Sequence, residues 1–150
     1  MGRMYSVSFE DVAATLAQDL FQIEAVTVPA IIHQVVVSQS SDFGDAAAEN
    51  LIIKLRRATD ALTNVTAEAL LDLGDSAALA DLNVNDTTQL VTGADTFHVE
   101  AWNIALPFVY LPPPELRPVC SVGDVIVVTM SAPADALTIH GTMYFEEIGA

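Results

Sequence analysis

Three histidines, one cysteine and a scatter of serines and carboxylates are the residues through which this chain could do chemistry. His33, His98 and His140 each stand in a stretch that reads as a β-strand. Neutral imidazole is a common transition-metal ligand, so two or three of them converging would make a metal site. None lies at an H-x-H spacing and no cysteine pair assists, and a histidine on the polar face of a strand is ordinarily a surface or cross-strand residue. A serine, a histidine and a carboxylate suffice for a hydrolytic triad, but no G-x-S-x-G elbow points to one. Cys120, between Val119 and Ser121, reads as a small core hydrophobe, because a catalytic thiolate needs an electropositive site. Calcium could draw oxygens from Asp42, Asp45 and Glu49, or from Asp72, Asp75, Asp81 and Asp86. The EF-hand register is absent, and acidic loops are usually just solvated. Gly44, Gly74 and Gly93 stand alone, so there is no glycine loop to cradle phosphate. Trp102, Phe108, Tyr110 and Tyr144 would serve a sugar-stacking platform or, more ordinarily, a core or interface. The expectation is a protein that is not an enzyme and needs no cofactor or metal.

The elements that carry these residues are strands. Between residues 123 and 148 two runs alternate with period two, which places successive side chains on opposite faces. In the second, Leu137, Ile139, Gly141, Met143 and Phe145 form an apolar face against Thr138, His140, Thr142 and Tyr144. The first, Val125 to Met130, is apolar on both faces, as a central strand buried on both sides would be. With Pro133 and Asp135 between them, the two runs read as a long terminal hairpin. Upstream, strands are expected over residues 5–9, 20–24, 30–39, 51–57, 88–92, 96–102 and 104–111. Residues 11–19 are ambiguous, because Val12, Ala13, Leu16 and Leu20 also fit a helical stripe. Residues 58–87, rich in Ala, Leu and Asp, suggest short helices or an irregular excursion. Pro112, Pro113 and Pro114 favour extended geometry that cannot donate to a sheet. About eight strands with frequent turns and long connections predict one all-β domain over residues 1–150. It is expected to be a jelly-roll-like β-sandwich with a short helical or irregular insertion.

Composition narrows the partners. The net charge is −15, with 20 acidic residues against Arg3, Lys54, Arg56, Arg57 and Arg117. Nucleic acid and anionic membranes both require cations that this chain lacks. Hydrophobic residues make up 52% of the chain, yet no run approaches a membrane span. The surplus is expected in a generous core and in a subunit interface.

Several segments carry a resemblance. Residues 2–12, the Ser41-Asp42-Phe43-Gly44-Asp45 segment followed by the strand at 51–56, Arg117-Pro118-Val119, and the stretches 132–137 and 141–147 are similar to small structural proteins of tailed bacteriophages. The likeness runs in order over most of the chain and is weakest at residues 58–95. It implies a virion protein, most plausibly a capsid decoration (cement) protein on the outer surface of the capsid. By the same resemblance it would be a homotrimer that binds the major capsid protein and stabilises the head. On that reading Trp102, Phe108, Tyr110, Pro112, Pro113 and Pro114 serve the oligomer interface. Arg3, Tyr5, Asp42, Phe43 and Asp45 meet the capsid. A tail or baseplate component, or a host-glycan-binding module, would use the same sandwich. A small jelly-roll enzyme of the cupin type is the enzyme alternative, with His98-Val99-Glu100 as its one local hint.

Overall fold

A computed structural model describes residues 2–41, 49–62, 65–93 and 95–149. In chain order its strands are β1 (Arg3–Ala14), β2 (Gln18–Glu24), β3 (Ala30–Gln39), β4 (Asn50–Ala58), β5 (Ala69–Leu70) and β6 (Asp81–Asp86). They continue with β7 (Asp95–Asn103), β8 (Phe108–Tyr110), β9 (Val119–Cys120), β10 (Val125–Met130) and β11 (Leu137–Glu147). Two antiparallel sheets pack face to face. The first runs β5-β1-β11-β3-β8, with β9 also on β3, and the second runs β6-β2-β10-β4-β7. Setting aside the short β5 and β9 and the flanking β6, four strands remain in each sheet. The pairs β1/β11, β2/β10, β3/β8 and β4/β7 nest inside one another. The chain is therefore one long double ribbon, folded at β4/β7 and rolled up, which is the jelly-roll topology. The all-β sandwich expectation holds, with eleven strands rather than about eight.

The two C-terminal runs are strands as expected, but they are not a hairpin. β10 pairs with β2 and β4, whereas β11 pairs with β1 and β3, and residues 131–136 carry the chain from one sheet to the other. Period two assigns each residue to a face; it does not assign the neighbour. The two apolar faces meet across the core rather than lying side by side.

β11 alternates buried and half-buried residues throughout, with Leu137, Ile139, Met143 and Phe145 inward. Gly141 takes the inward place between them. A Cβ there would lie 2.7 Å from the Phe9 ring and 3.0 Å from that of Phe21, and these two rings pack 5.2 Å apart over the gap. β10 is buried at every position. Ile126, Val128 and Met130 enter the main core, while Val125 and Val127 join Ala58, Leu62 and Leu90 in a small second cluster on the outer face. That second cluster explains why β10 is apolar on both sides.

Several boundaries differ from expectation. β1 runs on through the ambiguous residues to Ala14, with a bulge between Phe9 and Val12 and Asp11 at φ 54°. Residues 88–92 are not a strand. They lie against the outer face of the second sheet, where Leu90 N–H donates to Asp19 Oδ2 at 2.8 Å. The strand expected over 104–111 shrinks to β8, because residues 103–106 turn.

No described residue of the 58–87 excursion is helical; it holds β5, β6 and loops. Side-chain acceptors outbid helical propensity there. Buried Glu147 accepts through Oε1 from Leu79 N–H and Ala80 N–H, each at 2.7 Å, and Glu68 accepts from Ala78 N–H at 2.8 Å. Tyr5 stacks on Phe145 at 5.4 Å and donates its hydroxyl to Ser76 O at 3.0 Å. Arg3 donates to Ser76 Oγ and stands 3.7 Å from Asp75.

Candidate functional site

The two sheets end together on one side, where β7 and β8 are the terminal strands. Each pairs on one side among the described residues, β7 with β4 and β8 with β3. Cross-strand partners share a face, so the register assigns the side chains. Leu51, Ile53 and Leu55 are core residues, which turns their partners Trp102, Glu100 and His98 toward the space between the sheets. Val35 and Val37 do the same for Tyr110 and Phe108. At this edge the interior opens, and its mouth is polar: the His98 and Tyr110 rings meet at 4.7 Å, and His98 Nε2 lies 3.4 Å from Glu100 Oε2. Burial raises the Tyr110 phenol above its ordinary range, so it stays protonated.

The mouth widens into a cleft of about 600 Å³ roofed by the proline segment, with Leu111, Pro113 and Leu116 along it. Arg57 lies 5.3 Å from the Phe97 ring centre at its far wall, a cation–π arrangement. A second recess of about 320 Å³, sharing Glu100 and Val109, continues to Leu106. The outward residues of this edge are apolar: Val99 is 59% exposed, Val109 49%, Leu111 61%, Leu116 69% and Leu106 67%. Monomeric proteins rarely leave such residues beside unpaired strand backbone, because the edge is a template for another chain.

The expected interface residues fall in this region, but two of them point the wrong way. Trp102 and Phe108 are buried, and Trp102 Nε1 donates to Leu106 O at 2.6 Å, so neither offers a contact face or a sugar-stacking face. Pro112 is also buried; Tyr110 is half-buried, and Pro113 and Pro114 are exposed. The residues that do face outward, Val99, Val109 and Leu111, escaped the sequence reading. Their signal was there: residues 108–111 are apolar on both faces, and an edge strand can bury only one.

Among the expected capsid contacts, Tyr5 is wholly buried and has no surface to present. Arg3 is engaged with Asp75 and Ser76, and Asp42, Phe43 and Asp45 lie outside the described residues.

The histidines do not converge. His33 bonds Glu146 at 2.9 Å and His140 lies on the first sheet, while His98 sits at the open edge. Among the described residues no three His, Cys, Asp or Glu side chains gather around one point. Asp72 and Asp86 accept from nearby backbone N–H groups within their own turns, from Gly74 and Thr88.

One triad-like group does form. Ser40 Oγ is 2.7 Å from His140 Nε2, with Asp11 alongside. However, Asp11 N–H donates to His140 Nδ1 at 3.3 Å, which leaves the ring proton on Nε2, aimed at Ser40. A serine nucleophile needs the reverse, a lone pair on Nε2 and a carboxylate on Nδ1. Asp11 Oδ1 instead lies 3.9 Å from Nε2. The group anchors the chain leaving β3 and does not activate Ser40. Cys120 is likewise a core residue: burial pushes its thiol up to about 11, and Sγ donates to Asp124 O at 3.1 Å.

Among the known protein families, the curated proteins and the solved structures, none matches this chain.

Proposed function

We propose that this chain is a bacteriophage virion structural protein, a capsid decoration protein that associates through its open β7/β8 edge. It acts as a homotrimer on the outer surface of the head, with the major capsid protein as its partner. The observation that carries the association is the exposure of Leu106, Val109, Leu111 and Leu116 beside the terminal strands β7 and β8, with Val99 exposed on the outer face of the second sheet. Covering these residues removes apolar surface from water at roughly 25 cal/mol per Å², and a partner strand could pair with the outer backbone groups of β7 and β8. An edge that meets a different surface of the next copy closes into a ring when the rotation allows, as a trimer requires. The wide acidity of the chain opposes self-association, but repulsion between exposed charges is largely screened beyond about 8 Å at physiological salt. The head assignment draws on the resemblance of residues 2–12, 41–45, 51–56, 117–119, 132–137 and 141–147 to phage structural proteins.

Light scattering on a sizing column tests the first part. A species three times the 15.9 kDa chain mass is expected, reverting to the monomer in Leu111→Asp. A wild-type monomer at tens of micromolar would remove the edge as a self-contained interface. Sedimentation with expanded heads tests the second part: a trimer that stays in the supernatant would end the head assignment while leaving the association intact.

A further inference from the structure

The outer face of the second sheet, one strand in from β7, carries two of the chain's five cations. Lys54 and Arg56 are two residues apart on β4, so both project from the side opposite core residues Ile53 and Leu55. Together with Gln89, Thr129 and Ser131 they line a recess of about 240 Å³, and no carboxylate is among its lining residues. In a chain with 20 acids and five cations, two cations share one recess that its acids do not line.

Their charge is only partly spent inside the protein. Lys54 makes no ion pair among the described residues. Arg56 stands 3.7 Å from Asp19 Oδ1, too far for a hydrogen bond, and its Nε and Nη2 are buried without a hydrogen-bond partner among the described residues. Asp19 is already engaged through Oδ2, which accepts from Gln22 Nε2 at 2.9 Å and Leu90 N–H at 2.8 Å. Ser131 Oγ accepts from Ile52 N–H at 2.9 Å, which leaves its proton to donate. Two cations against one neighbouring carboxylate leave the recess with one positive charge in excess.

We propose that this recess binds a small oxyanion of the phosphate or sulfate class. Lys54 Nζ and the Arg56 guanidinium supply the charge, and the hydroxyls of Thr129 and Ser131 are the neutral donors. The bound anion ties β4 and β10 to the loop that carries Gln89, and completes the neutralisation that Asp19 begins. The site lies one strand in from the β7 edge, where Lys54 pairs with Val99, and its charge and donors come from residues other than those of the association proposed there.

The test is thermal unfolding in sodium phosphate against sodium chloride at matched ionic strength, because a chain of this charge gains stability from any screening salt. Phosphate is expected to raise the unfolding midpoint above the chloride value, as a ligand of the native state does. Lys54→Gln is expected to weaken the apparent phosphate affinity at least about tenfold, the scale of one charge-assisted hydrogen bond. Arg56→Gln should do likewise, but it also strands Asp19, so Lys54→Gln carries the decision if that variant does not fold. Arg3→Gln, an equal change of charge on the other sheet, should keep the phosphate-specific rise. Equal midpoints in phosphate and chloride would overturn the proposal, as would an undiminished phosphate effect in Lys54→Gln.

Discussion

The sandwich has two flanks, and they are finished in opposite ways. On the flank where β1 and β6 approach each other, the chain adds material: β5 extends the first sheet and β6 the second. The excursion between them is pinned by buried side chains, with Glu147 holding Leu79 and Ala80 and Tyr5 holding Ser76; just beyond β6, Asp19 holds Leu90. Leu71, Leu73 and Leu79 are exposed here as well, on loops next to the terminal strands β5 and β6, and Leu82 O of β6 accepts from Thr66 N–H at 2.6 Å. On the flank where β7 and β8 end, nothing is added. The strands stop, the interior opens onto His98 and Tyr110, and the outward side chains are apolar. One flank is extended by further strands and loops of the chain, and the other ends at β7 and β8. Under the proposed association, the same physical problem, an unpaired sheet edge, would be met within the chain on one side and between chains on the other.

Substitutions on the two flanks should therefore fail differently. The largest effect is expected on the completed flank: Glu147→Ala removes the acceptor for one buried and one part-buried N–H group and should cost about 3 kcal/mol, read from the urea midpoint. Next comes the open flank, where Leu111→Asp should weaken association by about 30-fold while shifting monomer stability by less than about 0.5 kcal/mol. If that variant unfolds instead, Leu111 is part of the core economy and the contrast between flanks dissolves. His98→Ala should cost about 1 kcal/mol, the worth of an aromatic contact that braces β7 against β8. A larger loss would mean that the open mouth carries more of the sandwich than its exposure implies.

The smallest effect concerns pH. Burial raises the Asp19 carboxyl above its ordinary range, so between the unfolded and native values the native state holds a proton that the unfolded chain has released. The contribution of Asp19 to stability is then greatest below the unfolded value and declines as pH rises through the native one. Wild type should gain on Asp19→Asn as pH is lowered from about 7 to about 4, measured as the difference between paired urea titrations. Parallel curves would show that Asp19 ionises in the native state as readily as in the unfolded chain.

The sequence made faces legible and left neighbours hidden. Alternation placed Leu137, Ile139, Met143 and Phe145 in the core, and the doubly apolar run at 125–130 announced a strand covered on both sides. Which strands lie beside them depends on contacts far apart in the chain, and local period carries no information about those. The excursion stayed open between helix and irregular structure for a related reason: Ala and Leu favour helix in isolation, and the irregular course it takes rests on N–H groups captured by Glu147, a tertiary fact. At the candidate edge the aromatic and proline content drew the sequence reading to residues 102–114. The inward and outward residues were exchanged, because Trp102 and Phe108 look like an interface until the register with Leu51 and Val37 turns them inward.

The placement of β10 and β11 also dictates when the fold can close. They come last of the eleven strands in chain order, yet each is the middle strand of its sheet. While the chain is being synthesised, β1 and β3 have nothing to join them, and neither do β2 and β4. At translation rates of roughly 5–20 residues per second, these strands wait for seconds with their pairing edges unmet. Closure is then a single late event that zips both sheets at once, of the slow kind that long-range strand pairing imposes. A ribosome stalled before residue 125 should display a protease-sensitive chain, because the pairs β2/β6, β4/β7 and β3/β8 can form by then but lack the central strands that join them, and isolated two-stranded pairs are marginal in water.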